Sequence, residues 1–228
     1  IDLQALRHNA TRLARAAGGA ELMAVVKANG YGHGAVDCAF AALDGGAGSL
    51  AVASVEEAEE LRLGGLTARI LIMSPLAEAG FDRALAAGCE VVVGDAAGAV
   101  GITAAATTDR PARVHVEVDT GMGRLGAVPD DAMALAEAAA SSGAEVVGLM
   151  THFATADDRE GPQAGFMRRW CAFASSSRHS AIAFRASRCT PPTAPPPCAT
   201  PMPHSTWCAA ELPSMAARPS AVTPPTTS

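Results

Sequence analysis

Apolar and polar positions change period several times along the chain. From Asp2 to Ala17 the apolar residues Leu3, Leu6, Ala10 and Leu13 recur at helical spacing, with Arg7, Arg12 and Arg15 elsewhere, which predicts an amphipathic helix. Leu22–Val26 is a short apolar run bounded by Gly18-Gly19 and Gly30 and reads as a buried strand. Similar runs follow at Leu50–Ala53, Arg69–Met73, Glu90–Val93, Val114–Val118 and Val146–Met150. Helical patterns lie between them: Gly34–Leu43, a segment ending near Gly64-Gly65, Phe81–Ala87, Ala96–Ala106 and Asp130–Ser141. The second of these opens on Ser54-Val55-Glu56-Glu57, the spacing of a capping box.

Six strands thus alternate with helices across short loops. Runs apolar on both faces are the mark of parallel strands covered by helices. Right-handed crossovers leave an open doubly wound sheet or a closed barrel. No G-x-G-x-x-G follows the first strand, which removes the main support for a dinucleotide fold. Polar residues instead follow three strands: Lys27, Asp119 to Arg124, and Thr151-His152. Reactive groups at the carboxyl ends of several strands are the pattern of a (β/α)8 TIM-type barrel. The reading is therefore an α/β barrel, incomplete at about six strands, over residues 1–175.

Composition changes after that point. Of 15 prolines, 11 lie from Pro191 onward, and proline blocks both helix and central strand. Residues 176–228 are expected to form a disordered Pro-rich tail. Over the whole chain the net charge is -6, so the basic footprint of a nucleic-acid binder is missing. No apolar run reaches the roughly 18 residues of a membrane span. The chain begins Ile1-Asp2-Leu3 without a secretion signal, which points to a cytoplasmic protein with a trimmed start. None of the six cysteines forms a C-x-x-C pair, so no metal site is expected and the thiols are read as unpaired.

Lys27 closes the first apolar strand. A lysine at a barrel mouth is placed to form an imine with a carbonyl. The position equally fits a lysine that snorkels to water. Tyr31 is the sole tyrosine, set among glycines that either admit a ligand or simply turn the chain. Three segments together carry a resemblance: Ala24-Val25-Val26-Lys27-Ala28-Asn29-Gly30-Tyr31-Gly32-His33-Gly34, Val118-Asp119-Thr120-Gly121-Met122-Gly123-Arg124-Leu125-Gly126, and Gly148-Leu149-Met150-Thr151-His152-Phe153-Ala154-Thr155-Ala156-Asp157. In order and spacing they resemble the bacterial alanine racemases over about residues 1–175.

The resemblance implies a barrel followed by a β domain, a homodimer, and pyridoxal 5′-phosphate as cofactor. It also implies racemisation of alanine, which supplies D-alanine for peptidoglycan. On this basis Lys27 holds the cofactor aldehyde and acts as the base at the α-carbon, and Tyr31 bonds the phosphate. His152 stacks on the pyridine ring; Arg124 reaches the phenolic oxygen and the substrate carboxylate. Many members carry at Glu117 a lysine that becomes carbamylated; Glu117 supplies a negative charge there directly, or is a strand-edge carboxylate. The base for the second face is, in the family, a tyrosine of the partner subunit's β domain. A chain that stops short of that domain is expected to be a fragment with little or no activity. A broader amino-acid specificity, or another barrel enzyme that links its cofactor to a lysine, stands as the alternative.

The tail has its own reading. Translated one frame away, permissible codons from Cys189-Thr190 to Pro201 spell HAANSAATLRDP, and those from there to Ala216 spell DAAFDMVRCGIAVYG. The single codons of Met202, Trp207 and Met215 force three of these letters. Both runs match the pattern expected for the family's seventh and eighth strands. A frameshift between about Ala174 and Arg188, in the gene or its sequencing, accounts for the prolines.

Overall fold

The computed structural model describes residues 1–154, Gly18 excepted, together with 184–186 and 207–211. Six parallel strands follow the expected order: β1 (Glu21–Val25), β2 (Ala47–Val52), β3 (Arg69–Ile72), β4 (Glu90–Val93), β5 (Arg113–Glu117) and β6 (Glu145–Thr151). Each pairs in parallel with the next. The intervening helices are α1 (Leu3–Ala16), α2 (Lys27–Gly32), α3 (Ala35–Asp44), α4 (Val55–Leu63), α5 (Phe81–Ala86), α6 (Ala96–Ala104) and α7 (Ala132–Ser141). Boundaries differ from the sequence reading by a few residues, with two elements added: α2 and a 3-10 turn at Glu78–Gly80.

Local chemistry starts the helices where the sequence indicates. The Asp2 carboxylate accepts the Ala5 N–H, and that of Asp95 accepts the Gly98 N–H. The Ser54–Glu57 capping box is present in both directions. Such caps satisfy amide groups that a helix's first turn leaves without partners. No helix among the described residues is long and apolar enough to cross a membrane. Cys38 and Cys89 are buried, unbridged thiols.

The sheet does not stop at six strands, as the sequence reading had it. Two short strands, β7 (Phe184–Ala186) and β8 (Trp207–Glu211), close the ring in the order β1 to β8. β7 pairs with β6, and β8 runs along β1 from Glu21↔Trp207 to Val25↔Glu211. The correction has a backbone cause. The outer edges of β1 and β6 present rows of N–H and C=O groups, which any extended segment is able to satisfy. Such pairing uses main-chain atoms and leaves no periodic side-chain signature. The remainder of the expected 176–228 tail lies outside the described residues.

Alternation along each strand divides the core in two. On β4, Val91 and Val93 face the outer layer beneath the helices, whereas Val92 faces the barrel interior with Met23, Val25, Ala51 and Leu71. Below that apolar layer lies a polar floor. Glu90 and His115 are buried, and Glu90 takes charged bonds from Arg69 at 2.9 Å and Arg113 at 3.1 Å. The interior is thus a packed stack, and its upper end at the carboxyl rim is where the polar loops converge.

Candidate active site

The chain leaves β1 through Val26, which is buried and donates its N–H to Ala51 O at 2.9 Å. Lys27 is the next residue. Ala28, Asn29, Gly30 and Tyr31 then take φ of 52, 53, 61 and 55°, a full turn of left-handed helix. That conformation costs Ala28 and Tyr31 about 1–2 kcal/mol each, whereas Asn tolerates it better, so contacts elsewhere must hold the turn. Three do. Glu57 Oε1 accepts the Ala28 N–H at 2.6 Å, Asn29 Oδ1 accepts the Ala35 N–H at 2.9 Å, and Tyr31 packs on the interior cluster of Met23, Val25, Ala51, Leu71 and Val92. In this turn Lys27 Nζ lies 5.8 Å from the centre of the Tyr31 ring, within cation–π reach.

The second group stands at the ends of β5 and β6. Beyond Glu117 the chain makes a loop closed at its base by Asp119 N–H to Ala127 O and Ala127 N–H to Glu117 O, both 2.8 Å. The Asp119 carboxylate accepts the N–H groups of Gly121, Met122 and Gly123, which hold its pKa below the ordinary value. Gly126 is required here. Its φ is +102°, and a Cβ would lie 2.8 Å from Asp119 N and 3.0 Å from Glu117 O. Thr151 Oγ1 donates to Val118 O at 2.7 Å, so in its 2.8 Å bond with Thr120 the Thr120 hydroxyl is the donor. That pair sews the end of β6 to the β5 loop and sets His152 beside it.

Glu117, Val118, Asp119, Met122, Arg124, Leu125 and His152 line one small cleft. Arg124 and His152 are exposed at its mouth, while Glu117 is 3 % exposed. Burial pushes the Glu117 carboxyl above its usual pKa, the Arg124 charge opposes this, and Asp119 adds to it. Glu117 Oε2 is buried without a hydrogen-bond partner. The structure therefore brings Glu117, Arg124 and His152 together. Lys27 and Tyr31 form a separate group above β1, outside the lining of that cleft. Met150 of β6 and Tyr31 pack on the same interior cluster, so both groups stand over one apolar layer at one rim.

This donor set suits an aldehyde-bearing anionic aromatic cofactor. It offers one amine, an imidazole and a guanidinium over a buried carboxylate with an unused oxygen. Sequence reasoning missed Glu57 and the Thr120–Thr151 pair. Glu57 carried a signal as half of the capping box, but its contact with Ala28 spans 29 positions and had none.

Comparison with known proteins bears on most of the chain. The family profile described as "Alanine racemase, N-terminal domain" matches residues 1–189. The alanine racemase of Frankia casuarinae is 47% identical over 164 residues, covering 69% of this chain and 42% of the relative. That of Desulforamulus reducens is 45% identical over 166 residues, covering 70% and 44%. The chain thus spans about two fifths of the length of the curated relatives it matches. The crystal structure of alanine racemase from E. faecalis superposes with a TM-score of 0.74 at 36% identity, covering 82% of this chain and 52% of that one. The Bacillus anthracis enzyme, whose structure carries bound L-Ala-P, gives 0.72 at 28% identity, over 82% and 50%.

Proposed function

The chain belongs to the family defined by the N-terminal domain of the alanine racemases, and from that premise we propose that it binds pyridoxal 5′-phosphate through Lys27 and provides one of the two proton-transfer faces by which the family interconverts L- and D-alanine. The observation that carries the reading is Lys27 itself. It is the only lysine in the sequence, and it stands at the carboxyl rim against the Tyr31 ring. When bound, the cofactor withdraws electrons from the substrate and weakens the bond to its α-hydrogen.

The chain's own residues would then divide the work. The Lys27 amine holds the cofactor and moves a proton at the α-carbon on one face. The Tyr31 hydroxyl bonds the phosphate, and the His152 imidazole covers the ring. The Arg124 guanidinium donates to the phenolic oxygen and orients the substrate carboxylate, a task suited to its planar fork. Glu117 faces that cation with a fixed negative charge, which limits how far Arg124 swings toward solvent. A cytoplasmic protein whose family provides D-alanine for the cell wall completes the proposal. So does the out-of-frame origin of residues 176–228, from which Phe184–Ala186 and Trp207–Glu211 pair with the barrel through main-chain atoms. A single-base change between codons 174 and 188 of the coding DNA would restore the two expected runs.

Borohydride reduction of the protein with pyridoxal phosphate, followed by peptide mapping, tests the site. The expected label falls on the peptide containing Lys27 and is absent in Lys27→Ala. A label on any peptide lacking Lys27 overturns the assignment.

A further inference from the structure

Glu57 is the residue that links the cofactor lysine to the rest of the rim. A capping box needs its acidic residue to accept one amide, that of the N-cap. Here the carboxylate accepts three. Oε2 takes the Ser54 N–H at 3.3 Å and the Ala53 N–H at 2.7 Å, and Oε1 takes the Ala28 N–H at 2.6 Å. The third amide belongs to the peptide bond that joins Lys27 to Ala28. One side chain therefore ties the loop after β1 to the loop after β2, at the entrance of a left-handed turn with three non-glycine residues. Only a carboxylate does this. Two oxygens offer about four acceptor sites and no hydrogens, whereas a glutamine would turn an NH2 group toward one of these amides.

We propose that Glu57 is a positioning residue for Lys27. It fixes the backbone on the carboxyl side of Lys27 and so aims the amine over the barrel interior. The inference rests on the reading of Lys27 as the cofactor-binding residue, but its first consequence is a property of the backbone alone.

The test compares the full chain with Glu57→Gln, Glu57→Asp and Ser54→Ala. Ser54→Ala breaks the other half of the capping box and leaves the Ala28 bond in place. Glu57→Asp keeps a charge at the helix start while falling one methylene short of Ala28. Two quantities are read. One is hydrogen exchange at the Ala28 amide. The other is the pyridoxal phosphate concentration that half-saturates borohydride labelling of Lys27. Both Glu57 variants should speed Ala28 exchange and raise that concentration about tenfold, the loss expected for one bond to a charged acceptor. Ser54→Ala should change neither. Equal effects in Ser54→Ala and the Glu57 variants would reduce Glu57 to a helix cap and overturn the proposal. Faster Ala28 exchange with unchanged labelling would overturn it too. If the parent chain takes no label at Lys27, the functional reading fails, while the exchange comparison still decides whether Glu57 holds the turn.

Discussion

Glu117 is the buried charge on which the β5 cleft depends. Burial raises its pKa, with Arg124 opposing and Asp119 reinforcing the shift. A carboxyl whose folded pKa lies above its unfolded value stabilises the fold most at low pH. That contribution is lost as pH rises from the ordinary value of about 4.3 through the raised one. Removing the charge therefore helps most at high pH. Glu117→Gln should gain on the parent between pH 4 and pH 8, as the difference in melting temperature. A difference independent of pH would show that burial does not control this group. Arg124 is exposed and gives little stability of its own.

At the scale of elements, the polar floor joins three strands. Glu90 on β4 bonds Arg69 on β3 and both Arg113 and His115 on β5. Burial by itself would raise the Glu90 pKa, but the bonds from His115 and Arg69 outweigh it and hold the carboxyl well below the usual range. Its stabilisation is present above about pH 4.3 and lost as pH falls toward the folded pKa. Breaking a buried pair on one side typically costs about 3–5 kcal/mol. Arg69 and Arg113 are 35% and 38% exposed, and the solvent screens them, so Glu90→Gln should cost about 2–3 kcal/mol at pH 7. Urea titrations should show the gap narrowing from pH 7 to pH 3. A gap that widened in acid would contradict the sign. This floor and the apolar layer above it form the base on which the rim loops stand.

The whole molecule depends on closure. Register between β1 and β8 runs over five positions, Glu21↔Trp207 to Val25↔Glu211, and without it the outer edge of β1 is a template for other chains. A polypeptide ending at Thr206 should therefore self-associate. Size-exclusion chromatography with light scattering is expected to show species larger than those of the full chain at equal concentration. An unchanged elution would mean that the β1 edge is protected by something other than β8.

Much of this was legible in the residues, for a local reason. The six strands and their helices are set by apolar periodicity and caps that act within a few positions, as Ser54 and Glu57 do. The rim residues Lys27 and His152 stood out because each closely follows a strand, and Arg124 because it lies in the loop after β5. Tertiary structure alone decided the rest. The left-handed turn at Ala28–Tyr31 runs against the preference of Ala28 and Tyr31 and is held by Glu57, Asn29 and the interior cluster. The grouping of Glu117 with Arg124 and His152 depends on Thr151 reaching Val118 across 33 positions. Closure by β7 and β8 depends on main-chain bonding between distant edges. A sequence records what side chains do to their near neighbours. These three features arise from backbone groups meeting partners that only the closed barrel brings within reach.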